Sequence, residues 1–389
     1  MIGRNEVRFE PHHAELDARL RVFAHERIEP LEAEGGEEDA QARRFIGVLA
    51  DGGLLDYVLP KTKPSGRRGI DARSLCLVRE NLARASGFAD CMFVMQGLGS
   101  APVWIAGTKE QQAAVLPRVA SGLAIAAFAL TEPEAGSDVA SMRTTATKVD
   151  GGYLIDGTKT FISNAGVADV YSVFAKTDVN AGAKGISAFV VEKTNPGLQV
   201  IERQRVIAPH PIGTMRFERC FVPDSALLGD VNEGFSVAMK TLDVFRPTVG
   251  AAACGLARRA LAEALSRAST RVQFGKPIAA FQGIQFHLAQ MAADVEASRL
   301  LVYRAATLQD TTDAPTTRES SLAKWQATEA AQRVIDKAVQ VFGGAGVLVG
   351  SIVERLYREI RALRIYEGTS EIQQVVIATR LLKDGNPGY

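Results

Sequence analysis

The sequence predicts an α+β protein in which an N-terminal helical domain, a small β-barrel or sandwich domain and a C-terminal antiparallel four-helix bundle follow one another. Apolar residues recur at helical spacing before residue 121 and after residue 231, whereas short β-rich runs separated by turn residues fill the middle. A chain of 389 residues can form two or three domains with sizeable cores. We therefore expect domains at residues 1–121, 122–230 and 231–389.

The N-terminal part is predicted to be helical from its periodicity. Leu16, Leu20 and Phe23 recur at helical spacing, and residues 43–49 and 75–85 continue the pattern. A further helix is expected to begin at residue 109, and Ser121 and Gly122 are expected to end it.

The middle domain is predicted from turns and short strands. The DGG run at 150–152 and the DG pair at 156–157 are turn signals. No helical pattern intervenes between the candidate strands, which are residues 153–155, 170–174, 186–191, 198–201 and 215–222.

Helical patterning returns at Gly234. Residues 250–269, 285–308 and 318–342 are long and rich in helix-forming residues, and the links between them are short. Three or four such helices in succession predict an antiparallel bundle.

Composition excludes several classes of function. Lys and Arg (45) nearly equal Asp and Glu (44), which argues against a nucleic-acid-binding surface. The four cysteines form no CxxC pair, so we expect reduced thiols and no metal site, with the His12–His13 pair on the solvated surface. The apolar run at 123–130 is too short to span a bilayer and the N-terminus lacks a signal-peptide pattern, so we expect a cytoplasmic protein without a membrane partner.

The run RIYEGTSEIQ at residues 364–373 contains the most informative carboxylate of the chain. Glu367 lies where a helical pattern ends, Gly368 permits an unusual backbone, and Thr369 begins a helix cap. Apolar neighbours would partly desolvate Glu367, and desolvation suits a carboxylate to act as a base. The alternative is an ordinary surface glutamate before an N-cap.

Five motifs in a fixed order resemble the acyl-CoA dehydrogenase family of flavoproteins. They are TEPEAGSD at 131–138, FISN at 161–164, RVQFG at 271–275, QVFGG at 340–344 and YEGT at 366–369. The resemblance covers nearly the whole chain and is weakest before Gly99. It implies FAD as cofactor, an acyl-CoA substrate, an electron-transfer flavoprotein as electron acceptor, and a homo-oligomer expected to be a tetramer.

The resemblance also implies roles for individual residues. Glu367 would be the base that takes the α proton, and its backbone N–H would be one donor to the thioester carbonyl. Ser163 would bond near flavin N5, and Arg271 would reach the FAD diphosphate of a neighbouring subunit. The implied FAD contacts are Phe128, Leu130, Thr131, Gly136, Ser137, Phe161, Ser163, Arg271, Gln273, Phe274, Gln340, Gly343, Gly344, Thr369 and Glu371. The candidate substrate contacts are Ser137, Asp90, Phe245, Arg246, Tyr366 and Gly368.

Four positions depart from the commoner family pattern. Phe245 stands where some members carry their base, and because it cannot take a proton Glu367 is left as the matching carboxylate. Phe161 replaces a frequent Trp, and it keeps an aromatic face while losing the indole N–H. His210 lies between two prolines and is expected to be a structural loop residue rather than a ligand contact. Asp90 is either a second acid or polar substrate contact, as in members acting on alicyclic thioesters, or a helix-surface carboxylate.

We interpret the sequence as an FAD-dependent acyl-CoA dehydrogenase, an oxidoreductase acting on a CH–CH bond that yields the 2-enoyl thioester. One alternative is an acyl-CoA oxidase, or an alicyclic dehydrogenase of the cyclohexane or cyclohexene carboxyl-CoA type, on the same fold. A second alternative is a non-catalytic FAD-binding interaction protein, against which the balanced charge and Glu367 argue. No GxGxxG follows a strand, so no Rossmann nucleotide site is expected.

Overall fold

The computed structural model describes residues 7–62 and 68–384, which form two compact units. The first, here called the helical unit, comprises Met1–Glu32, Asp71–Asp90 and Asp243–Tyr389. The second, the sheet unit, comprises Ala33–Ile70 and Cys91–Leu242. The predicted α+β class and the order of helical, β and helical regions are confirmed. The division into three domains at residues 121 and 230 stays a prediction.

The N-terminal region is helical, and side-chain caps define where several of its helices begin. Thr108 and Gln111 cap each other's backbone N–H groups at the start of one helix, and the Asp71 carboxylate accepts the N–H of Ser74 at the start of another. A π-helical stretch, Ala24–Ile28, joins the first two helices. The helices are α1 (Pro11–Phe23), α2 (Glu29–Glu34), α3 (Glu38–Asp51), α4 (Ala72–Ala85), α5 (Gly87–Ala106) and α6 (Lys109–Ala120).

The His12–His13 pair is not a solvated surface pair, so that expectation was wrong for His13, which is 1% exposed. His13 Nδ1 accepts the N–H of Glu10 at 2.9 Å and thereby caps α1. Its Nε2 therefore carries the proton and donates to Asp71. His12, His13 and Glu10 bring possible metal-ligand atoms together. The protonated Nε2 of His13 is, however, no ligand.

The sheet unit contains one eight-stranded sheet and a short separate hairpin. The sheet has the order β10-β7-β6-β4-β5-β9-β8, with β3 parallel to β6. Bulges interrupt the long β5–β9 pairing between Ile155 and Gly157 and between Lys159 and Ile162. The strands are β1 (Lys61–Thr62) and β2 (Arg68–Gly69) in the hairpin, then β3 (Ala126–Ala129), β4 (Thr145–Val149), β5 (Gly152–Ser163), β6 (Val170–Lys176), β7 (Ile186–Glu192), β8 (Leu198–Arg203), β9 (Ile212–Pro223) and β10 (Leu227–Leu228).

The core of the sheet unit lies between the sheet and the helices α5 and α6. Val103, Val119 and Phe174 belong to one buried apolar cluster contributed by all three elements. α5 approaches β3 so closely that a Cβ at Gly99 would lie 2.5 Å from the backbone N of Ala127. This close approach holds β3 against α5, and it thereby positions the 131–138 loop that follows β3.

The helical unit is organised around long helices and a buried carboxylate. Oε1 of Glu80 in α4 accepts hydrogen bonds from Arg258 and Arg299 at 2.8 Å each, and Oε2 accepts one from Tyr303. The elements here are α7 (Gly234–Thr270), β11 (Val272–Gln273), β12 (Lys276–Pro277), α8 (Gln282–Thr311), α9 (Thr317–Phe342), α10 (Ile352–Leu363) and α11 (Ser370–Asp384). The Glu80 contacts join α4 to α7 and α8, and α9 packs against α8, α10 and α11. The predicted C-terminal helical region is confirmed, and no helix in the described residues is long and apolar enough to cross a membrane.

Candidate active site

Glu367 lies in a left-handed turn between α10 and α11. Its φ is 53°, and Gly368 follows with φ 89°, so two successive residues adopt the left-handed backbone. A Cβ at position 368 would lie 2.6 Å from Nε2 of Gln373, which explains the glycine. Thr369 Oγ1 then accepts the N–H of Ile372 and caps α11. The break that the sequence predicted at Glu367 is present.

Two side chains hold the carbonyl groups of this turn. Lys324 of α9 donates from Nζ to the Gly368 carbonyl at 2.7 Å. Gln373 of α11 donates from Nε2 to the carbonyls of Glu367, at 3.2 Å, and Gly368, at 3.0 Å. Left-handed backbone in a residue other than glycine costs about 1–2 kcal/mol, so such contacts are needed to keep Glu367 in this conformation.

The carboxyl end of Glu367 is buried although the residue as a whole is half-buried. Oε2 has no hydrogen-bond partner among the residues that the structure describes. Burial raises the pKa of Glu367, and the cationic side chains of Arg79, Lys324 and Arg246 oppose that rise. Burial in turn lowers the pKa of Lys324 to about 8, against the attraction of Glu367. A buried, unpartnered carboxylate oxygen with a raised proton affinity has the properties of a general base.

Arg79 and Asp90 form a buried ion pair within the same unit. Arg79 donates from Nε and Nη2 to the two Asp90 oxygens at 2.9 and 2.7 Å, and from Nη1 to Thr248 Oγ1 at 2.9 Å. Burial raises the pKa of Asp90, and the attraction of Arg79 opposes that rise without cancelling it. The bidentate contact with Arg79 favours the carboxylate form. The interpretation of Asp90 as a helix-surface residue was wrong, since it is 4% exposed. Both Asp90 oxygens accept hydrogen bonds from Arg79, and its role as a second acid or substrate contact stays a prediction.

The position where some family members carry their base is fully buried here. Phe245 of α7 is 0% exposed, and Arg246 beside it is 7% exposed and donates from Nη1 to Asp243 at 2.7 Å. In the described chain Nε of Arg246 has no hydrogen-bond partner. Tyr366 is half-buried beside Glu367 in sequence. The substrate roles of these residues stay predictions.

In the sheet unit, a buried ion pair fixes the 131–138 loop to β5. Lys159 Nζ donates to Glu132 Oε1 at 2.7 Å and to the Leu130 carbonyl at 3.0 Å, and the N–H groups of Arg143 and Thr144 donate to Glu132. Burial lowers the pKa of Lys159 to about 8. Burial raises the pKa of Glu132, but Lys159 and the backbone N–H of Arg143 lower it more. The loop is therefore anchored from inside the sheet.

The predicted FAD residues of this loop differ in exposure. Leu130 is buried in the core, and Phe128 packs against Phe174 with ring centroids 4.9 Å apart. Thr131 is half-buried, and its carbonyl accepts the N–H of Thr160 at 3.0 Å. Gly136 and Ser137 are exposed. A ligand could therefore touch the backbone and hydroxyl groups of the loop more easily than the Leu130 side chain.

At the end of β5, Phe161 and Ser163 face different environments. Phe161 has φ 53° and is 59% exposed, which is unusual for an aromatic residue in a strand. Ser163 Oγ lies 2.7 Å from Nε2 of His210, whose Nδ1 lies 2.9 Å from Sγ of Cys91. Burial lowers the pKa of His210 to about 4. His210 is thus a half-buried loop residue, and it contacts Ser163, a predicted FAD residue.

The C-terminal motifs surround a surface cavity in the helical unit. Gln273, Phe274 and Gln340 line an open cavity of about 400 Å³, together with Phe281 and His287. Phe274 is 93% exposed with φ 49°. The structure thus brings together residues from two of the predicted FAD motifs. The remaining members, Arg271, Gly343, Gly344 and Glu371, are exposed, and Thr369 is half-buried.

Taken unit by unit, these residues have the chemistry that parts of a planar cofactor with a diphosphate would need. No atom of the described residues would lie within 4 Å of a Cβ at Gly136, Gly343 or Gly344, so each backbone is open to a ligand. Phe161 and Phe274 expose aromatic faces on which a planar ring could pack. The exposed guanidinium of Arg271 is suited to a diphosphate.

Several residues important to these clusters were missed by the sequence analysis. Arg79, Lys324 and Gln373 surround the Glu367 turn, and Glu132 and Lys159 hold the loop. The sequence signal for such residues is a charged side chain on an otherwise apolar face of a helix or strand. Lys159 and Lys324, both 0% exposed, are examples. Their partners lie far away in sequence, so their roles could not be assigned from spacing.

Comparison with known proteins gives matches along the whole length of the chain. Family models match in order: the acyl-CoA dehydrogenase N-terminal domain at residues 10–123, the middle domain at 127–220 and the C-terminal domain at 232–382. An acyl-CoA dehydrogenase of Bacillus subtilis is 40% identical over 366 residues, covering 93% of this chain and 96% of the relative. The caffeyl-CoA reductase–Etf complex subunit CarC of Acetobacterium woodii is 41% identical over 344 residues, covering 88% and 90%.

A solved structure has the same fold. Butyryl-CoA dehydrogenase from Megasphaera elsdenii matches with a TM-score of 0.87 and 34% identity, covering 97% of this chain and 100% of that one. The motifs, the turn around Glu367 and these matches agree. The chain belongs to the acyl-CoA dehydrogenase family.

Proposed function

We propose that the protein catalyses FAD-dependent α,β-dehydrogenation of an acyl-CoA thioester to the 2-enoyl thioester, with Glu367 as the base. The observation that carries the proposal is the buried Oε2 of Glu367, held on a left-handed turn and without a hydrogen-bond partner in the described part of the chain. Membership of the family makes the protein an FAD-dependent oxidoreductase acting on CH–CH bonds. The residue roles and the substrate are our inference.

FAD, when bound, supplies the acceptor for the hydride that leaves the β carbon. Ser137, Phe161 and Ser163 would contact it from the sheet unit. In the helical unit, Gln273, Phe274 and Gln340 line a cavity that would take part of an FAD molecule, which the resemblance assigns to a neighbouring subunit. Arg271 would bond two diphosphate oxygens through its planar guanidinium.

Glu367 would remove the α proton through Oε2. Burial makes that oxygen a stronger base than an exposed carboxylate, and Arg79, Lys324 and Arg246 keep the ionised form accessible. In the described chain the backbone N–H of Glu367 has no backbone acceptor. It is therefore able to donate to the thioester carbonyl and stabilise the charge that develops there as the proton leaves.

An electron-transfer flavoprotein is the proposed electron acceptor, and a homo-oligomer in the cytoplasm is the proposed state. The name of the Acetobacterium relative, a subunit of a reductase–Etf complex, supports the acceptor. All four cysteines are free thiols, which suits a reducing compartment.

The decisive experiment is anaerobic reduction of the bound flavin by a panel of linear, branched and cyclic acyl-CoAs. Bleaching of the visible flavin band by at least one of them is expected. If none reduces the flavin, while dithionite does, the proposed direction or substrate class is wrong. Oxygen consumption by the reduced protein would separate an oxidase from a dehydrogenase.

Reduction of a 2-enoyl thioester is a second candidate. The raised pKa of Glu367 would let the same carboxyl group deliver a proton to the α carbon in reverse. The relative CarC is named as a subunit of a caffeyl-CoA reductase complex, and this name favours the reductive direction as a candidate. Oxidation of the dithionite-reduced flavin by aryl or alkyl 2-enoyl-CoAs would identify it.

A further inference from the structure

Cys91, His210 and Ser163 form a continuous hydrogen-bonded chain inside the sheet unit. The Cys91 Sγ–His210 Nδ1 distance is 2.9 Å, and the His210 Nε2–Ser163 Oγ distance is 2.7 Å. Both imidazole nitrogens are thus engaged. The Cys91 residue is half-buried, whereas Cys76, Cys220 and Cys254 are buried.

The imidazole is held rigidly. Pro209 and Pro211 flank His210 and restrict the backbone on both sides, and the His210 N–H donates to Glu38 at 2.6 Å. Pairing of β5 with β9 sets Ser163 opposite Ile212, two residues beyond His210. These contacts fix the backbone position from which the ring reaches both partners.

Burial makes His210 neutral at physiological pH, because it lowers the pKa of the ring to about 4. A neutral imidazole carries one proton and offers one lone pair. When one neighbour donates to the ring, the ring must donate to the other. Sulfur is a weak acceptor and a hydroxyl oxygen a good one. The favoured arrangement is therefore S–H of Cys91 donating to Nδ1 and Nε2–H donating to Ser163 Oγ.

We propose that Cys91, His210 and Ser163 form a relay in which the state of the Cys91 thiol sets whether Ser163 donates or accepts the hydrogen bond that it offers to a bound flavin. The flavin part rests on the proposed function. With the thiol intact, Ser163 accepts from His210 and its own proton is free for the flavin. Cys91 is thereby a modification site for small soft electrophiles, and His210 is a positioning residue for Ser163.

Blocking the thiol should reverse the relay. A modified sulfur has no proton to give, so its lone pairs would face the Nδ1 lone pair. Moving the ring proton to Nδ1 removes this repulsion, and Nε2 then accepts the Ser163 proton. Ser163 would lose its role as donor to the flavin and offer only lone pairs.

The test uses the full-length protein and methyl methanethiosulfonate. The Cys91 sulfur attacks the reagent's sulfenyl sulfur and forms an S–S bond to a methylthio group. Methanesulfinate leaves, and the thiol proton goes with it as methanesulfinic acid. Dithiothreitol reduces this disulfide, which restores the thiol and releases methanethiol, while the dithiothreitol is oxidised to its own cyclic disulfide. Mass spectrometry locates the modification.

The first readout is the tautomer of His210 by ¹⁵N NMR. The chain has five histidines, and the spectrum of His210→Asn assigns the signal. We expect an Nε2–H tautomer before treatment, an Nδ1–H tautomer after it, and reversal by dithiothreitol. Cys91→Ser keeps a donor and should retain the first tautomer. Cys91→Ala should not respond to the reagent, which controls for the other cysteines.

The second readout is the flavin. Modification of Cys91 should shift the visible FAD band and weaken FAD binding roughly three- to tenfold, the effect of about one hydrogen bond. An unchanged tautomer in protein that is fully modified at Cys91, an Nδ1–H tautomer before treatment, or a Cys91 that resists the reagent would each overturn the relay. The tautomer is measured without FAD, so the relay can fail or hold independently of the dehydrogenase proposal.

Discussion

Glu367 combines two unfavourable features, a left-handed backbone and a buried carboxyl group. The backbone alone costs about 1–2 kcal/mol, and burying a charge costs more unless cations lie near. Lys324 and Gln373 hold the turn through its carbonyls, and Arg79, Lys324 and Arg246 supply the positive field. Strain of this kind, maintained by several specific contacts, is typical of functional positions.

Replacing Glu367 with Gln should abolish proton abstraction while leaving the fold intact. The amide has nearly the same shape but cannot accept the proton, so the rate of flavin bleaching by substrate should fall by about 10²–10⁴-fold or more. FAD content should be unchanged. Glu296→Gln, at an exposed position of α8, is the matched control. A Glu367→Gln enzyme that bleaches at the native rate would require another base.

The Arg79–Asp90 pair should control the pH dependence of the reaction. Asp90→Asn leaves Arg79 uncompensated, which lowers the pKa of Glu367 and moves the rising limb of the rate–pH profile to lower pH. Arg79→Gln removes a cation that opposes the rise in the pKa of Glu367, so the limb should move to higher pH. Stopped-flow flavin reduction across pH measures both.

Each single variant breaks a buried pair, which typically costs about 3–5 kcal/mol, so thermal unfolding must be checked alongside. The double variant Arg79→Gln/Asp90→Asn provides the control, because its limb should lie between those of the two singles. Shifts of both singles in the same direction would contradict the electrostatic role of the pair.

At the scale of elements, strand β5 contains both a buried ion-pair residue of the sheet unit and two of the predicted FAD contacts. Its Lys159 reaches Glu132 inside the sheet, and its end carries Phe161 and Ser163. A bulge between Lys159 and Ile162 lets the strand bury Lys159 and still expose Phe161. The strand thus anchors the 131–138 loop and presents an aromatic face.

Lys159→Met should destabilise the sheet unit and loosen the 131–138 loop. Glu132 would keep two backbone donors but lose its cation, and the expected loss in free energy of unfolding is about 3–5 kcal/mol. Lys148→Met on β4 is the control, because its ion pair with Asp224 is exposed and worth about 0–1 kcal/mol. Denaturant unfolding compares them. Equal losses for the two variants would show that the buried pair has no special role.

Local pattern was enough for the long helices α7, α8 and α9 and for strands β5 to β9, whereas the remaining strands and the helices α5 and α10 were not assigned. The candidate strand at 215–222 lies within β9, whereas β3, with sequence AAFA, carries too little β-branched character to be recognised. Asp90 and His13 are buried with hydrogen-bond partners on another helix or segment, Arg79 and Asp71, which local pattern does not reveal. The Glu367 turn was predicted because all of its signals are local.

For the whole molecule, the exposed residues of the helical unit suggest that FAD binding and assembly are linked. Among the described residues, Phe274 at 93% and Val349 at 90% are the most exposed large apolar side chains, so a ligand or another chain could cover much apolar surface there. The family resemblance implies that Arg271 and Phe274 reach the FAD of a neighbouring subunit. A ligand bound across an interface stabilises the oligomer by mass action.

Arg271→Ala should therefore weaken FAD binding and assembly together. Loss of a charge-assisted diphosphate contact is worth roughly 1.5–3 kcal/mol, which corresponds to roughly 10- to 150-fold in Kd. Light scattering with and without added FAD should give a tetramer for the native chain and a smaller species for the variant, rescued by excess FAD. Arg216→Ala, at an exposed position of β9, is the control. A native monomer that binds FAD tightly would contradict the shared site, because all the diphosphate contacts would then have to come from one chain.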